Sequence, residues 1–318
     1  MKIFSGNSNK PLAEKICINL NTTLGNLYLH EFPSGEKYCQ FKENLRGETV
    51  FLIQSIINPA NDNLMELLIM IDAAKRAFAK KIVVVIPYFG YQRQDKLDNA
   101  GAPIGAKLVM NLLKCAGVDN IITMDLHSAQ IQGFTDLPID VLSFESFLLN
   151  IIKEQYPMYS DKLKHEVVIV APDNGASKKA ISFSKKLECS VAFVLKNRLG
   201  DDKVEIESFI GKVRDKTVVI IDDLTESVGT LIQAAKICKD NGAKNIICAV
   251  THACFTIIGC TRLQEACYQT KIIDEFIYSN TVGYDWNTEF GYPIQKPSAL
   301  NEINVSSIFA KSMHSHNL

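Results

Sequence analysis

The stretch "VVIIDDLTESVGT" (Val218–Thr230) changes character twice. Five β-branched residues, Thr217–Ile221, run into the paired acids Asp222 and Asp223. Glu226, Ser227, Val228, Gly229 and Thr230 then open "GTLIQAAKICKDNGA" (Gly229–Ala243), whose apolar residues recur at helical spacing. A second apolar run, "NIICAVTH" (Asn245–His252), follows. Strand, turn, helix and strand in this order form a βαβ unit with strands buried on both faces.

The same alternation fills the rest of the chain. "TVFLIQS" (Thr49–Ser55), "KIVVVIPYFG" (Lys81–Gly90), "NIITMDLH" (Asn120–His127) and "EVVIVAPDNG" (Glu166–Gly175) read as further buried strands. Helical patterns such as "NLMELLIMIDAAKRAFA" (Asn63–Ala79) separate them. This predicts an α/β fold with largely parallel sheets flanked by helices.

The chain also repeats itself. "ETVFLIQS…AAKRAFAKKIVVVIP" resembles "KTVVIIDD…AAKICKDNGAKNIICAV". The repeat predicts two similar domains, joined near residues 143–165 by the polar stretch "EQYPMYSDKLKHE" (Glu154–Glu166). In the alignment Gln54 and Ser55 stand where the second copy has Asp222 and Asp223. A role in the sheet itself would call for the same residues in both copies. The acid pair therefore reads as tied to a ligand of the second half.

Composition narrows the field. The chain has 318 residues, a formal net charge of −1 and 47% hydrophobic residues. That length suits two domains. Near-neutral charge argues against a dedicated nucleic-acid binder, and no apolar run is long enough for a membrane span. The opening "MKIFSGNSNK" lacks the apolar core of a secretory signal, so a cytoplasmic protein is expected. Nine cysteines without a C-x-x-C pattern, among them Cys115, Cys189, Cys238 and Cys248 in apolar runs, read as buried free thiols.

In open α/β sheets ligands bind beyond the carboxyl ends of strands, where the paired acids lie. The Ser227–Thr230 turn offers hydroxyls, a glycine and a helix N-terminus, a set that suits phosphate. Carboxylates repel phosphate but accept hydrogen bonds from vicinal sugar hydroxyls. Local chemistry leaves two readings open, a sugar-phosphate site and an acid-rich helix cap. "PYFGYQRQDK" (Pro87–Lys96) follows a strand with aromatics for a base and cations for phosphates, although a solvated loop has the same composition. Asp125 and His127 face one way if their strand persists. With Asp136 and Asp140 they could position Mg²⁺, or His127 is a hydrogen-bonded structural residue. Asp173 ends another strand. Lys196 and Arg198 in "LKNRLGDDKVEIESFIGK" could form a cationic lid or a solvated loop. There is no Walker A loop and no G-x-G-x-x-G.

In combination, "FSGNSNKPLAEKI", "FPSGEKY", "DNLMELLIMIDAAKRA", "PYFGYQRQDK", "ITMDLHSAQIQGF", "APDNG", "KNR", "IIDDLTESVGTL" and "THACF" resemble the ribose-phosphate pyrophosphokinases, or PRPP synthetases, along nearly the whole chain. The resemblance implies two type I phosphoribosyltransferase-like domains. Residues 1–145, joined by a C-terminal helix 303–318, would bind ATP, and residues 146–302 would bind ribose 5-phosphate. The implied reaction transfers the β,γ-pyrophosphoryl group of ATP to the C1 hydroxyl of ribose 5-phosphate, giving PRPP and AMP with Mg²⁺. A homo-oligomer, commonly a hexamer, and phosphate or ADP effectors are implied as well, with no nucleic-acid or membrane partner. By position, Phe32, Ser34, Gly35, Glu36, Arg93, Gln94 and Asp95 match the ATP site. His127, Asp125 and Asp173 match metal contacts. Lys196, Arg198 and His127 match catalytic residues, the first two on a flexible loop. Asp222 and Asp223 match the acids that hold the ribose hydroxyls, and Glu226, Ser227, Val228, Gly229 and Thr230 match the 5-phosphate loop.

Several positions depart from the family pattern. Ser34 replaces Asn or Asp, Gly101 replaces Arg, Asn197 replaces Arg, and "PDNGA" lacks a second glycine. Glu226 and Ser227 stand for Asp and Thr, and Val228 for a smaller residue, which is expected to crowd the loop. These departures keep two alternatives in view, a non-catalytic regulatory paralogue and a PRPP-consuming phosphoribosyltransferase.

Overall fold

The computed structural model of the chain describes residues 1–155, 163–198, 204–284 and 296–316. The chain divides into two compact units. One is Met1–Ser143 with Asn280–Gly283 and Asn304–Leu318; the other is Phe144–Ser279 with Tyr284–Ile303.

The first unit begins with β1 (Lys2–Ser5) and α1 (Lys10–Asn19). The Asn9 side chain accepts the Leu12 N–H at 3.3 Å and Pro11 sits in the first turn, so the start of α1 is written locally. An antiparallel hairpin follows, β2 (Leu27–Glu31) and β3 (Lys37–Phe41). Then come β4 (Thr49–Ile53), α2 (Ala60–Arg76), β5 (Lys81–Ile86), α3 (Gly105–Ala116), β6 (Asn120–Met124) and β7 (Ile139–Leu142). The sheet runs β1-β4-β5-β6-β7 with every neighbour parallel. Its β-branched strands are covered by helices, and Val50, Leu52, Val84 and Ile86 pack with Leu67, Met70, Met110 and Leu113. The C-terminal helix, Ser306–His316, packs on α1.

The second unit contains α4 (Glu145–Gln155), α5 (Leu163–Glu166), β8 (Val167–Ala171), α6 (Ser177–Leu187), β9 (Ser190–Arg198), β10 (Val204–Ile210), β11 (Thr217–Thr225), α7 (Gly229–Asp240), β12 (Asn245–Ala253), α8 (Ile257–Gln264), β13 (Glu275–Ser279) and β14 (Leu300–Ile303). Its sheet order is β10-β9-β8-β11-β12-β13-β14, and β10 is antiparallel to β9 while the other described pairs are parallel.

The two sheets share a plan. β1-β4-β5-β6-β7 of the first matches β8-β11-β12-β13-β14 of the second, and β4 and β11 hold the same place, as the sequence repeat predicts. The hairpins differ. β2 and β3 form a separate two-stranded sheet, whereas β9 joins the main sheet beside β8 and carries β10.

All nine cysteines are free. Cys115 is exposed on α3 and Cys189 is half-buried just past α6, so these two depart from the expected burial. An apolar stretch of helix still turns one side to solvent. No described helix is long and apolar enough to cross a membrane.

Candidate active site

β11 pairs with β8 only as far as Ile220 but follows β12 as far as Thr225. Asp222 and Asp223 sit on this overhang, where the backbone has lost one neighbour. Asp222 Oδ1 accepts the Asp223 N–H at 2.9 Å, and Asp223 Oδ1 accepts the Leu224 N–H at 2.9 Å. Burial pushes the Asp222 carboxyl well above the ordinary carboxylate range, and the neighbouring Asp223 and, behind it, Asp173 push the same way. Lys179 Nζ lies beside the pair and donates to the Asp222 carbonyl at 3.4 Å. Asp173 lies at the turn after β8, where its Oδ1 accepts the Ala176 N–H at 3.1 Å. The acid pair thus sits at the end of β11, with Asp173 near enough at the end of β8 to act on its charge.

The turn into α7 stands next to the acids. Glu226 and Ser227 are exposed. Val228 has a left-handed backbone (φ 58°), which is strained for a β-branched residue, and its side chain is 1% exposed in the core of the second unit. It does not crowd the loop as expected. Core packing draws the side chain inward and leaves only the backbone to the turn. The segment after β12 buttresses this turn. The Cys254 N–H donates to the Thr225 carbonyl at 2.8 Å and the Thr256 N–H to the Glu226 carbonyl at 3.1 Å. A Cβ on Gly259 would lie 2.1 Å from the Glu226 oxygen, so only glycine permits this approach.

In the first unit Phe32–Glu36 close the β2–β3 hairpin. The Phe32 N–H donates to the Glu36 carbonyl at 2.9 Å, and the Ser34 hydroxyl donates to Glu36 Oε2 at 2.8 Å. Phe32 is 43% exposed and forms an edge contact with His30, ring centroids 5.1 Å apart. Arg93, Gln94 and Asp95 follow β5 in a turn where the Gln94 N–H donates to the Tyr91 carbonyl at 2.9 Å. The Gln94 carbonyl in turn accepts the Ala106 N–H at 3.1 Å.

Two sequence expectations change here. β6 stops at Met124 and Asp125 turns left-handed (φ 37°), so strand alternation does not align Asp125 with His127. The acids meant to join them are engaged elsewhere. Asp136 pairs with Lys114 at 2.7 Å, which holds its carboxyl below the usual range, and Asp140 accepts the Ser312 hydroxyl. Among the described residues no group of three or more His, Cys, Asp or Glu is gathered to hold a metal. One or two carboxylates completed by substrate oxygens and water is the habit of Mg²⁺, and the oxygen donors at this site fit it.

Residues 1–117 match the N-terminal domain of ribose phosphate pyrophosphokinase, and residues 148–282 match the phosphoribosyl transferase domain. The chain is 42% identical over 279 residues to the ribose-phosphate pyrophosphokinase of Thermotoga maritima, covering 87% of each chain. It is 41% identical over 313 residues to that of Fusobacterium nucleatum, covering 98% of this chain and 94% of the other. The chain belongs to the ribose-phosphate pyrophosphokinase family. The crystal structure of phosphoribosylpyrophosphate synthetase from Mycobacterium smegmatis superposes with a TM-score of 0.88 at 32% identity, over 99% of this chain and 98% of that one.

Within the ribose-phosphate pyrophosphokinases this chain's departures now have structural settings. Gly101, where Arg is usual, has φ 84°, a conformation that suits glycine. Lys196, Asn197 and Arg198 are the last residues of β9, and their backbones pair with Ile206, Glu205 and Val204 of β10. The structure thus puts the cationic pair on a strand, where the sequence suggested a loop; residues 199–203 lie outside the described residues, as do the side chains of Lys196 and Arg198. Sequence reading missed Arg262 of α8, whose Nη1 is 3.4 Å from the Cβ position of Gly229. No local motif marks it, because the fold alone brings α8 to the start of α7.

Proposed function

We propose that this protein is a ribose-phosphate pyrophosphokinase that transfers the β,γ-pyrophosphoryl group of ATP to the C1 hydroxyl of ribose 5-phosphate, releasing AMP. Family membership over most of the chain supports this reading, and the acid pair Asp222–Asp223 at the end of β11 carries it. Asp222 and Asp223 accept the ribose hydroxyls. Ser227, Gly229 and Thr230 hold the 5-phosphate at the α7 N-terminus, with the Glu226 and Val228 backbones shaping the turn and Arg262 adding a cation. Phe32, Ser34, Gly35 and Glu36 meet the nucleotide from the hairpin, and Arg93, Gln94, Asp95 and His127 meet it from the ends of β5 and β6. On this reading residues 1–145 with the C-terminal helix serve ATP and residues 146–302 serve the sugar.

The reaction is a displacement at the β-phosphorus, so positioning and charge neutralisation supply most of the acceleration. Lys196 and Arg198 are assigned to the transferring group. His127, with Asp125 beside it, would hold the Mg²⁺ of the nucleotide and Asp173 a second Mg²⁺ against the ribose; when bound, the metal offsets the negative charge of the phosphate oxygens. The exposed aromatics Tyr28 and Tyr38 support self-association to a homo-oligomer, which light scattering with and without phosphate or ADP would test. The free thiols suit a reducing cytoplasm.

The deciding assay follows AMP release from ATP and Mg²⁺ with and without ribose 5-phosphate. AMP that depends on the sugar is the expected result. Folded protein that releases none, or releases it regardless of sugar, overturns the proposal.

A further inference from the structure

Gln92 has no part in the site described above, yet it is 0% exposed and directly precedes Arg93 and Gln94. Its Oε1 accepts the backbone N–H of His127 at 2.9 Å, and its Nε2 has no hydrogen-bond partner. Exchanging the two ends of the amide would set donor against donor at His127, so that backbone N–H fixes the orientation. A buried amide with an unmet donor is less stable than an apolar side chain of similar shape unless its acceptor is needed.

What the acceptor holds is a chain that has just left the sheet. β6 ends at Met124 and Asp125 turns left-handed. The Asp125 N–H donates to the Leu142 carbonyl at 2.9 Å, and two residues later the Gln92 amide takes the His127 N–H. A hydrogen bond to the buried Gln92 side chain therefore ties the segment that carries His127 to the turn that carries Arg93 and Gln94.

We propose that Gln92 is a positioning residue for the nucleotide, setting His127 against Arg93 and Gln94 through the His127 backbone. This rests on the reading of those residues as the ATP site. The size of a lost contact that displaces such groups by about an ångström is roughly 10- to 100-fold in rate.

Gln92→Leu and Gln92→Met keep the volume and remove the amide, while Gln92→Glu keeps an accepting oxygen at the same reach. Steady-state kinetics would be read for both substrates, alongside calorimetric binding of a non-hydrolysable ATP analogue with Mg²⁺. The Leu and Met variants are expected to lose roughly 10- to 100-fold in kcat/KM for ATP. Their KM for ribose 5-phosphate should stay within about twofold, their melting temperature should fall only slightly because losing the unmet Gln92 donor offsets the stranded His127 N–H, and the Glu variant should recover part of the rate loss. Unchanged kcat/KM for ATP, or equal losses toward both substrates, would overturn the proposal. If the branched Leu variant does not fold, the flexible Met variant decides; failure of both to fold makes Gln92 structural and also overturns it. Wild-type protein that binds the analogue but makes no AMP would break the proposed reaction alone. A Met variant that then binds the analogue more weakly would still uphold the role of Gln92, and one that binds it equally would refute it.

Discussion

The ends of β4 and β11 occupy the same place in two sheets of the same plan, and they are used in opposite ways. At the end of β4 the polar groups are spent inside the protein. Gln54 and Ser55 are fully buried. Gln54 accepts from the Ser8 N–H and hydroxyl at 3.1 and 2.8 Å and donates to Glu66 at 2.9 Å, while the Ser55 hydroxyl donates to the Thr281 carbonyl at 2.7 Å. Glu66, also buried, takes two further N–H groups from Asn7, at 2.8 and 2.6 Å. At the end of β11 the carboxyls of Asp222 and Asp223 are half-buried, and each accepts the next residue's N–H. One strand end is closed by its own network; the other crowds two acids together, which the proposed function assigns to the sugar.

The contrast breaks most visibly at the acids. Asp222→Asn should cut ribose-5-phosphate-dependent AMP release at least about a hundredfold, roughly 2.7 kcal/mol. The same change should raise the melting temperature at neutral pH. The sign follows from the raised carboxyl. Asp222 favours folding fully only below its ordinary pKa, and that contribution is lost as pH rises through the higher folded value. Sugar donors prefer the ionised form, so wild-type affinity should weaken as pH falls through that raised value, and the Asn variant should lose this limb. A variant that melts lower would show that the acid is structural after all.

Glu66→Ala tests the closed end. It strands three donors, from Asn7 and Gln54, and should cost about 3 kcal/mol in a urea melt while leaving the KM for ribose 5-phosphate unchanged. A change in that KM without a loss of stability would erase the distinction between the two ends. Gly259→Ala forces the Glu226 carbonyl away and should raise the KM for ribose 5-phosphate roughly tenfold, with kcat less affected. Arg262→Ala is the gentlest probe. An exposed cation beside the loop is worth up to about 1 kcal/mol, so its loss should raise the same KM by about fivefold or less, with a smaller effect at high salt. No dependence on salt would remove Arg262 from the site.

Legibility in the sequence followed burial. The six runs read as strands became β4, β5, β6, β8, β11 and β12, because each is a long β-branched segment buried from both sides. β1, β7 and β14 have only four residues each and carry too little pattern to stand out. β2 (LYLHE) and β3 (KYCQF) mix polar, aromatic and aliphatic residues on a largely exposed hairpin, so no buried β-branched run marks them. The acid pair was visible because its repeat partner lacks it. Val228 misled, since its size suggested crowding while its backbone angle, invisible in sequence, turned it into the core.

Sequence alone determined the α/β class, the duplication, the family and the residue types at each strand end. Those depend on periodicity and order along the chain, which local physics writes directly. Tertiary structure alone decided that Gln54 and Ser55 are consumed by a buried network, that Gln92 holds His127, and that Arg262 reaches the α7 turn. Each of these joins residues distant in sequence through hydrogen bonds or close approach, and such pairings exist only once the sheets and helices have packed.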